Sequence, residues 1–181
     1  GFTSADRFDD LLKGLLSHRH ELRPLFSTEN SLQAGLRQLG QLLDVNPELS
    51  AESIVENAID AMDISACHHA LAGEHIAKPA RKGIEAALRA DSPQEAFTRL
   101  QGAYLTAKGE FRAERGLFAK AAGTEAPDLV EFLLSEQQRI AHVVERLRAA
   151  QVYAATSALM QVGKQIVAAY ETEKRRRGLC D

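Results

Sequence analysis

DLVEFLLSEQQRIAHVVERLRAAQVYAATSALMQVGKQIVAAYETEKRRR, Asp128 to Arg177, holds no proline and a single glycine, Gly163. Leu129, Leu133, Ile140, Val143, Leu147, Ala154, Ala158, Val162, Ile166 and Tyr170 recur along it at helical spacing and define one apolar stripe. Read as one helix it would extend for roughly 75 Å at ~1.5 Å per residue. That is long for a domain of this size. Either it breaks near Ala149 to Tyr153, or it is a spine that carries the other helices. Lys174, Arg175, Arg176 and Arg177 fill its last turn, where the helix dipole favours cations, and Gly178 supplies a C-terminal stop.

Upstream of this segment helix signals also dominate, and the alternating Val/Ile/Thr runs of strands are absent. The spacing predicts a first helix starting after Thr3 or Ser4, with Phe8, Leu11, Leu12, Leu15 and Leu16 on one face, ended by Pro24. A second is predicted from about Thr28 to Leu43, with Leu32, Leu36, Leu39 and Leu43 inward, followed by a turn at Asp44 to Pro47. Ser50 caps a third, which carries Ile54, Val55, Ala58, Ile59 and Met62. Residues 64–90 read as helical but interrupted at Gly73 and Pro79. Ser92-Pro93-Gln94-Glu95 combines a capping serine, a proline at the first helical position and a glutamate three residues on. Phe97, Leu100, Tyr104 and Leu105 then form a buried face, and Thr106 to Gly123 reads as a glycine-punctuated loop with a short helix. The fold class expected is all-α, a single multi-helix domain over residues 1–181.

Composition sets the outer limits. Of the 181 residues, 45% are hydrophobic and 26% charged, enough for a core without metal or disulfide staples. The two cysteines, Cys67 and Cys180, form no disulfide framework, which suits a reducing cytoplasm. No run of apolar residues is long enough for a membrane span, and the first ten residues do not read as a signal peptide. The net charge of −3 argues against tight autonomous DNA binding, though not against a basic patch on one face.

The chain lacks the Gly-x-x-x-x-Gly-Lys-Ser/Thr loop that cradles a nucleoside triphosphate, and it lacks zinc and hydrolase motifs. No catalytic, cofactor or metal residue is therefore expected in it. Cys67, His68, His69, Glu74 and His75 are the densest group of potential ligands, yet they do not converge on one helix face. His18 and His20 flank Arg19 and read as solvated. Three basic groupings remain. Lys78, Arg81, Lys82 and Arg89 read as the wet face of a helix, and Lys174 to Arg177 as a complement to the helix dipole. Lys108, Arg112, Arg115 and Lys120 lie in the loop, where such side chains hold phosphates without reading sequence. Glu110 and Glu114 are interleaved among them, so a plain solvated loop is the competing reading.

The end of the chain also carries a resemblance. Tyr170, Lys174, Gly178, Leu179 and Asp181 match the pattern Tyr-x-x-x-Lys-x-x-x-Gly-Leu-x-Asp that precedes the Walker B motif of UvrD/Rep-type superfamily 1 helicases. The likeness is strongest to the alphaproteobacterial form of the AddA subunit of the AddAB helicase–nuclease. Phe8-Asp-Asp-Leu-Leu with His18-Arg19 resembles an early accessory helix of that family. Tyr104-Leu-Thr-Ala-Lys-Gly109-Glu-Phe-Arg112 is similar to its Phe-Leu-Thr-x-x-Gly-x-x-Arg segment, with Phe111 where the family often has proline. Residues 127–156 fit it as well.

This resemblance implies an excised 1B accessory domain, helical and without motor or nuclease residues, that engages duplex DNA ahead of the fork. It implies no activity and no cofactor in this chain alone. The parent would be an ATP- and magnesium-dependent 3′–5′ helicase with an associated exonuclease, acting in double-strand break repair by recombination. Its partners would be its own motor domains and an AddB-type nuclease subunit. Lys108, Arg112, Arg115 and Lys120 are the DNA-contact candidates on this view. A helical protein-interaction module and a ligand-binding domain of the regulator type are the alternatives.

Overall fold

The computed structural model describes Asp10 and residues 13–178; the expected helix start at Thr3 or Ser4, Phe8, Leu11, Leu12, and Leu179 to Asp181 lie outside the described residues. Among the described residues the fold is all-α. Residues 13–17 are helical, followed by α1 (Arg19–Phe26), α2 (Glu29–Leu42), α3 (Ala51–Asp60), α4 (Ile64–Ala72), α5 (Lys78–Leu88), α6 (Pro93–Tyr104), α7 (Ala122–Glu125) and α8 (Pro127–Arg176). The only β pairings among these residues are two isolated bridges, Ile76 with Phe118 and Leu105 with Phe111, and a 3-10 turn spans Glu114–Gly116.

The starts are set by side chains. Thr28, Ser50, Asp63 and Ser92 each accept the backbone N–H of the residue three positions on, satisfying donors that the first turn leaves without partners. The Asp44 turn places that residue at φ 51°, the left-handed region that aspartate tolerates.

The chain divides into two compact units. One comprises residues 1–47 and 149–181, the other residues 48–148, so α8 belongs to both. The helix runs unbroken through residues 149–153, where a break was one of the two expected outcomes. Pro127 takes its first position, and no further proline follows to interrupt the ladder.

In the second unit α5 packs closely on α6. A Cβ placed on Gly83 would stand 2.5 Å from the Ala103 Cβ, so glycine permits this approach. Ile84, Leu100, Tyr104, Leu117, Leu133 and Ile140 fill the core beside it. In the first unit Leu15, Leu32, Leu36 and Val167 are buried, and Gly163 meets Leu15 and the ring end of Phe26.

Three expectations need correction. Pro24 does not end the first helix: the helical path turns at His18, and Pro24 sits inside α1, with only Leu25 and Phe26 beyond it. The apolar stripe of α8 does not hold past Leu147. Ala154, Ala158, Val162 and Tyr170 are exposed, whereas Ala150, Gly163 and Val167 are buried. A strict four-residue step advances about 40° round a helix of 3.6 residues per turn, so that series leaves the face it began on. Finally, Arg81 is not on a wet face. It is half-buried and donates to the carbonyls of Leu71 (2.5 Å) and Gly73 (2.6 Å), closing the end of α4.

Candidate nucleic-acid interface

The loop from Leu105 to Ala121 carries the four basic residues singled out in the sequence, and its path follows from where its hydrogen bonds go. Helix α6 must satisfy its last carbonyls. The Leu105 N–H donates to Gln101 O (2.8 Å) and the Arg112 N–H to Tyr104 O (3.0 Å). The Arg112 guanidinium supplies the rest, with Nη2 to Gly102 O (2.7 Å), Nε to Ala103 O (3.1 Å) and Nη2 to Leu105 O (3.3 Å). A planar fork of donors suits this task. Between these ends the chain forms a tight hairpin. The Thr106 N–H donates to Glu110 O (2.8 Å), the Gly109 N–H to Thr106 O (2.9 Å), and Gly109 takes φ 81°.

Buried Gln137 on α8 fixes this arrangement from below, donating Nε2 to Tyr104 O (2.8 Å) and to Arg112 O (2.9 Å). The far end of the loop is tied to the α4–α5 connection. The Ala77 N–H donates to Leu117 O (2.9 Å), and the Ala119 N–H to His75 O (2.7 Å). Thus the loop is irregular in secondary structure but has a fixed set of bonds.

Of the four candidates, Lys108, Arg115 and Lys120 are exposed, while Arg112 is half-buried and committed to the carbonyls above. Arg115 and Lys120 line one groove of about 550 Å³ together with Glu114, Phe118, Ala119, Gly123 and Val130. Lys108 stands elsewhere, at the hairpin tip. A further cation there is one that sequence reading missed: Arg148 on α8 lies so close to Gly109 that a Cβ at Gly109 would stand 2.6 Å from Nη2. Nothing in the linear spacing marks Arg148, because its position beside the hairpin depends on where the hairpin folds back. Exposed Phe111, at 56% accessible, lines the adjoining cleft with His142 and Arg148.

Beneath the loop lies a polar cluster inside the core. Glu136 receives Arg139 through two bonds of 2.7 Å, and Arg139 also donates to Ala58 O (2.7 Å) at the end of α3. This pairing holds the Arg139 guanidinium above its ordinary range. Burial first, and then the Glu136 charge, pushes the Cys67 thiol up to about 11. The same two causes push the Tyr104 phenol upward as well. The Tyr104 hydroxyl is buried without a hydrogen-bond partner among the described residues. His68 and His69 are exposed, and His75 faces Glu125 at 3.2 Å, so these histidines do not gather with Cys67. Among the described residues no group of three or more His, Cys, Asp or Glu could hold a metal ion, and no helix is long and apolar enough to cross a membrane.

What this arrangement offers is a set of exposed cations on and beside a braced loop. No protein-family model, curated protein or solved structure matches the chain.

Proposed function

We propose that the chain is a 1B-type accessory domain of an AddA-like superfamily 1 helicase subunit, engaging duplex DNA through its backbone phosphates and performing no catalysis itself. The observation that carries the reading is the braced loop. Arg112 and Gln137 hold it in place, while Lys108, Arg115 and Lys120 remain exposed. Such cations neutralise phosphates and position a duplex without reading its bases. Arg148 joins Lys108 in this role, and Arg112 positions the loop rather than touching DNA. The helical pattern and the Tyr170 to Gly178 helix end support the family assignment. ATP, magnesium, the motor lobes and an AddB-type nuclease subunit belong to the parent enzyme of this proposal.

The test is duplex binding by fluorescence anisotropy between about 50 and 200 mM salt, where phosphate neutralisation dominates. The variant K108E/R115E/K120E is expected to bind at least tenfold more weakly, with a salt slope reduced by roughly 0.9 for each phosphate it no longer neutralises. Duplex binding unchanged in this variant would remove the loop from the interface.

One observation favours a second reading, a helical protein-interaction module. Val152, Val162 and Tyr170 on the later part of α8 are 53%, 43% and 41% exposed. A concentration-dependent dimer in sedimentation, indifferent to DNA, would support that reading over the first.

A further inference from the structure

The first unit contains a second concentration of positive charge that the sequence does not announce. Helix α1 and the last turns of α8 enclose a cleft of about 400 Å³, lined by Arg19, Arg23, Phe26, Lys164, Glu171 and Arg175 among others. Four of these are cations at neutral pH and one is a carboxylate, in a chain whose net charge is −3. The excess is therefore a local arrangement and not a reflection of composition. Exposed His20 also lines the cleft.

The cations differ in how far they are committed. Arg19 donates to Leu16 O at 3.0 Å and lies over the Tyr170 ring, 5.8 Å from its centroid. It therefore serves as part of the wall. Lys164 pairs with exposed Glu29 at 2.5 Å, an exchangeable surface pairing. Among the described residues Arg175 donates only through Nε, to the Glu171 backbone carbonyl (3.2 Å) of its own helix. Arg23 makes no side-chain hydrogen bond or ion pair among the described residues. Phe26 and Val167 supply the apolar part of its lining.

We infer that this cleft binds the phosphodiester backbone of single-stranded nucleic acid. Cations at a rim over an apolar, partly aromatic floor are what a single strand requires, with phosphates on the rim and a base against the floor. A base can reach such a floor only when it is unstacked, as in a single strand, so the ligand differs from that of the loop in the other unit. The inference does not depend on the duplex proposal.

The experiment uses the whole chain and a fluorescein-labelled oligothymidylate of about 20 nucleotides, with anisotropy read across about 50 to 200 mM salt. R23E/R175E is expected to bind tenfold or more weakly, and its salt slope to fall by roughly 1.4, about 0.7 per phosphate. K108E/R115E/K120E is expected to weaken single-strand binding less than R23E/R175E does, and an equal or greater loss in it overturns the inference. Inorganic phosphate is expected to compete no better than chloride at equal ionic strength. Circular dichroism checks that each variant is folded. Should charge reversal disturb folding, R23Q/R175Q carries the test with a smaller effect in the same direction. Wild-type affinity in a folded R23E/R175E or R23Q/R175Q variant overturns the inference. So does specific displacement by inorganic phosphate, which would assign the cleft to a free phosphate group.

Discussion

Arginine does two kinds of work in this molecule, and burial separates them. Arg81, Arg112 and Arg139 each turn inward and satisfy carbonyls at the ends of α4, α6 and α3. Unmade hydrogen bonds at buried helix ends are costly, and a guanidinium can serve several acceptors at once. None of these roles was legible in the sequence, because each joins an arginine to carbonyls that only the folded path brings near. Arg112 in particular reads as one of four equivalent loop cations until its three acceptors are seen. We predict that Arg112→Lys lowers stability by about 2 kcal/mol, since a single ammonium cannot span carbonyls on Gly102, Ala103 and Leu105. Urea unfolding measures this. A fully stable variant with weakened duplex affinity would instead return Arg112 to the DNA-facing set.

At the scale of the element, the sequence was most readable where signals are local. The caps at Thr28, Ser50 and Ser92 stand where their spacing to the following helix places them. The inward face of the later α8 was not readable. It is decided by Leu15 and Phe26 meeting Gly163, a meeting of distant parts of the chain. The α5–α6 pairing depends on a comparable glycine. Gly83→Ala would drive its methyl into Ala103, and is expected to cost about 2 kcal/mol by overpacking. Gly102→Ala on the partner helix meets nothing within 4 Å and serves as the control. That change is expected to be neutral or to stabilise by up to about 1 kcal/mol. Equal urea midpoints for the two variants would show that the helices do not pack as described.

For the whole molecule, the telling fact is how charge is distributed. A chain with a net charge of −3 nonetheless places exposed cations on a braced loop in one unit and around a cleft in the other. The loop candidates were visible as a sequence grouping. The cleft was not, since Arg23 and Arg175 come from opposite ends of the chain and meet only through α1 and α8. Helix α8, shared by both units, ends where Tyr170, Lys174 and Gly178 carry the helicase resemblance. If the proposed function holds, this helix leads back into a motor, and sequencing the uninterrupted reading frame around the chain tests that outright. A Walker A loop is expected upstream, and Phe-Asp-Asp-Leu of the Walker B approach immediately after Asp181. A frame that encodes no nucleotide-binding loop on either side would contradict the helicase reading.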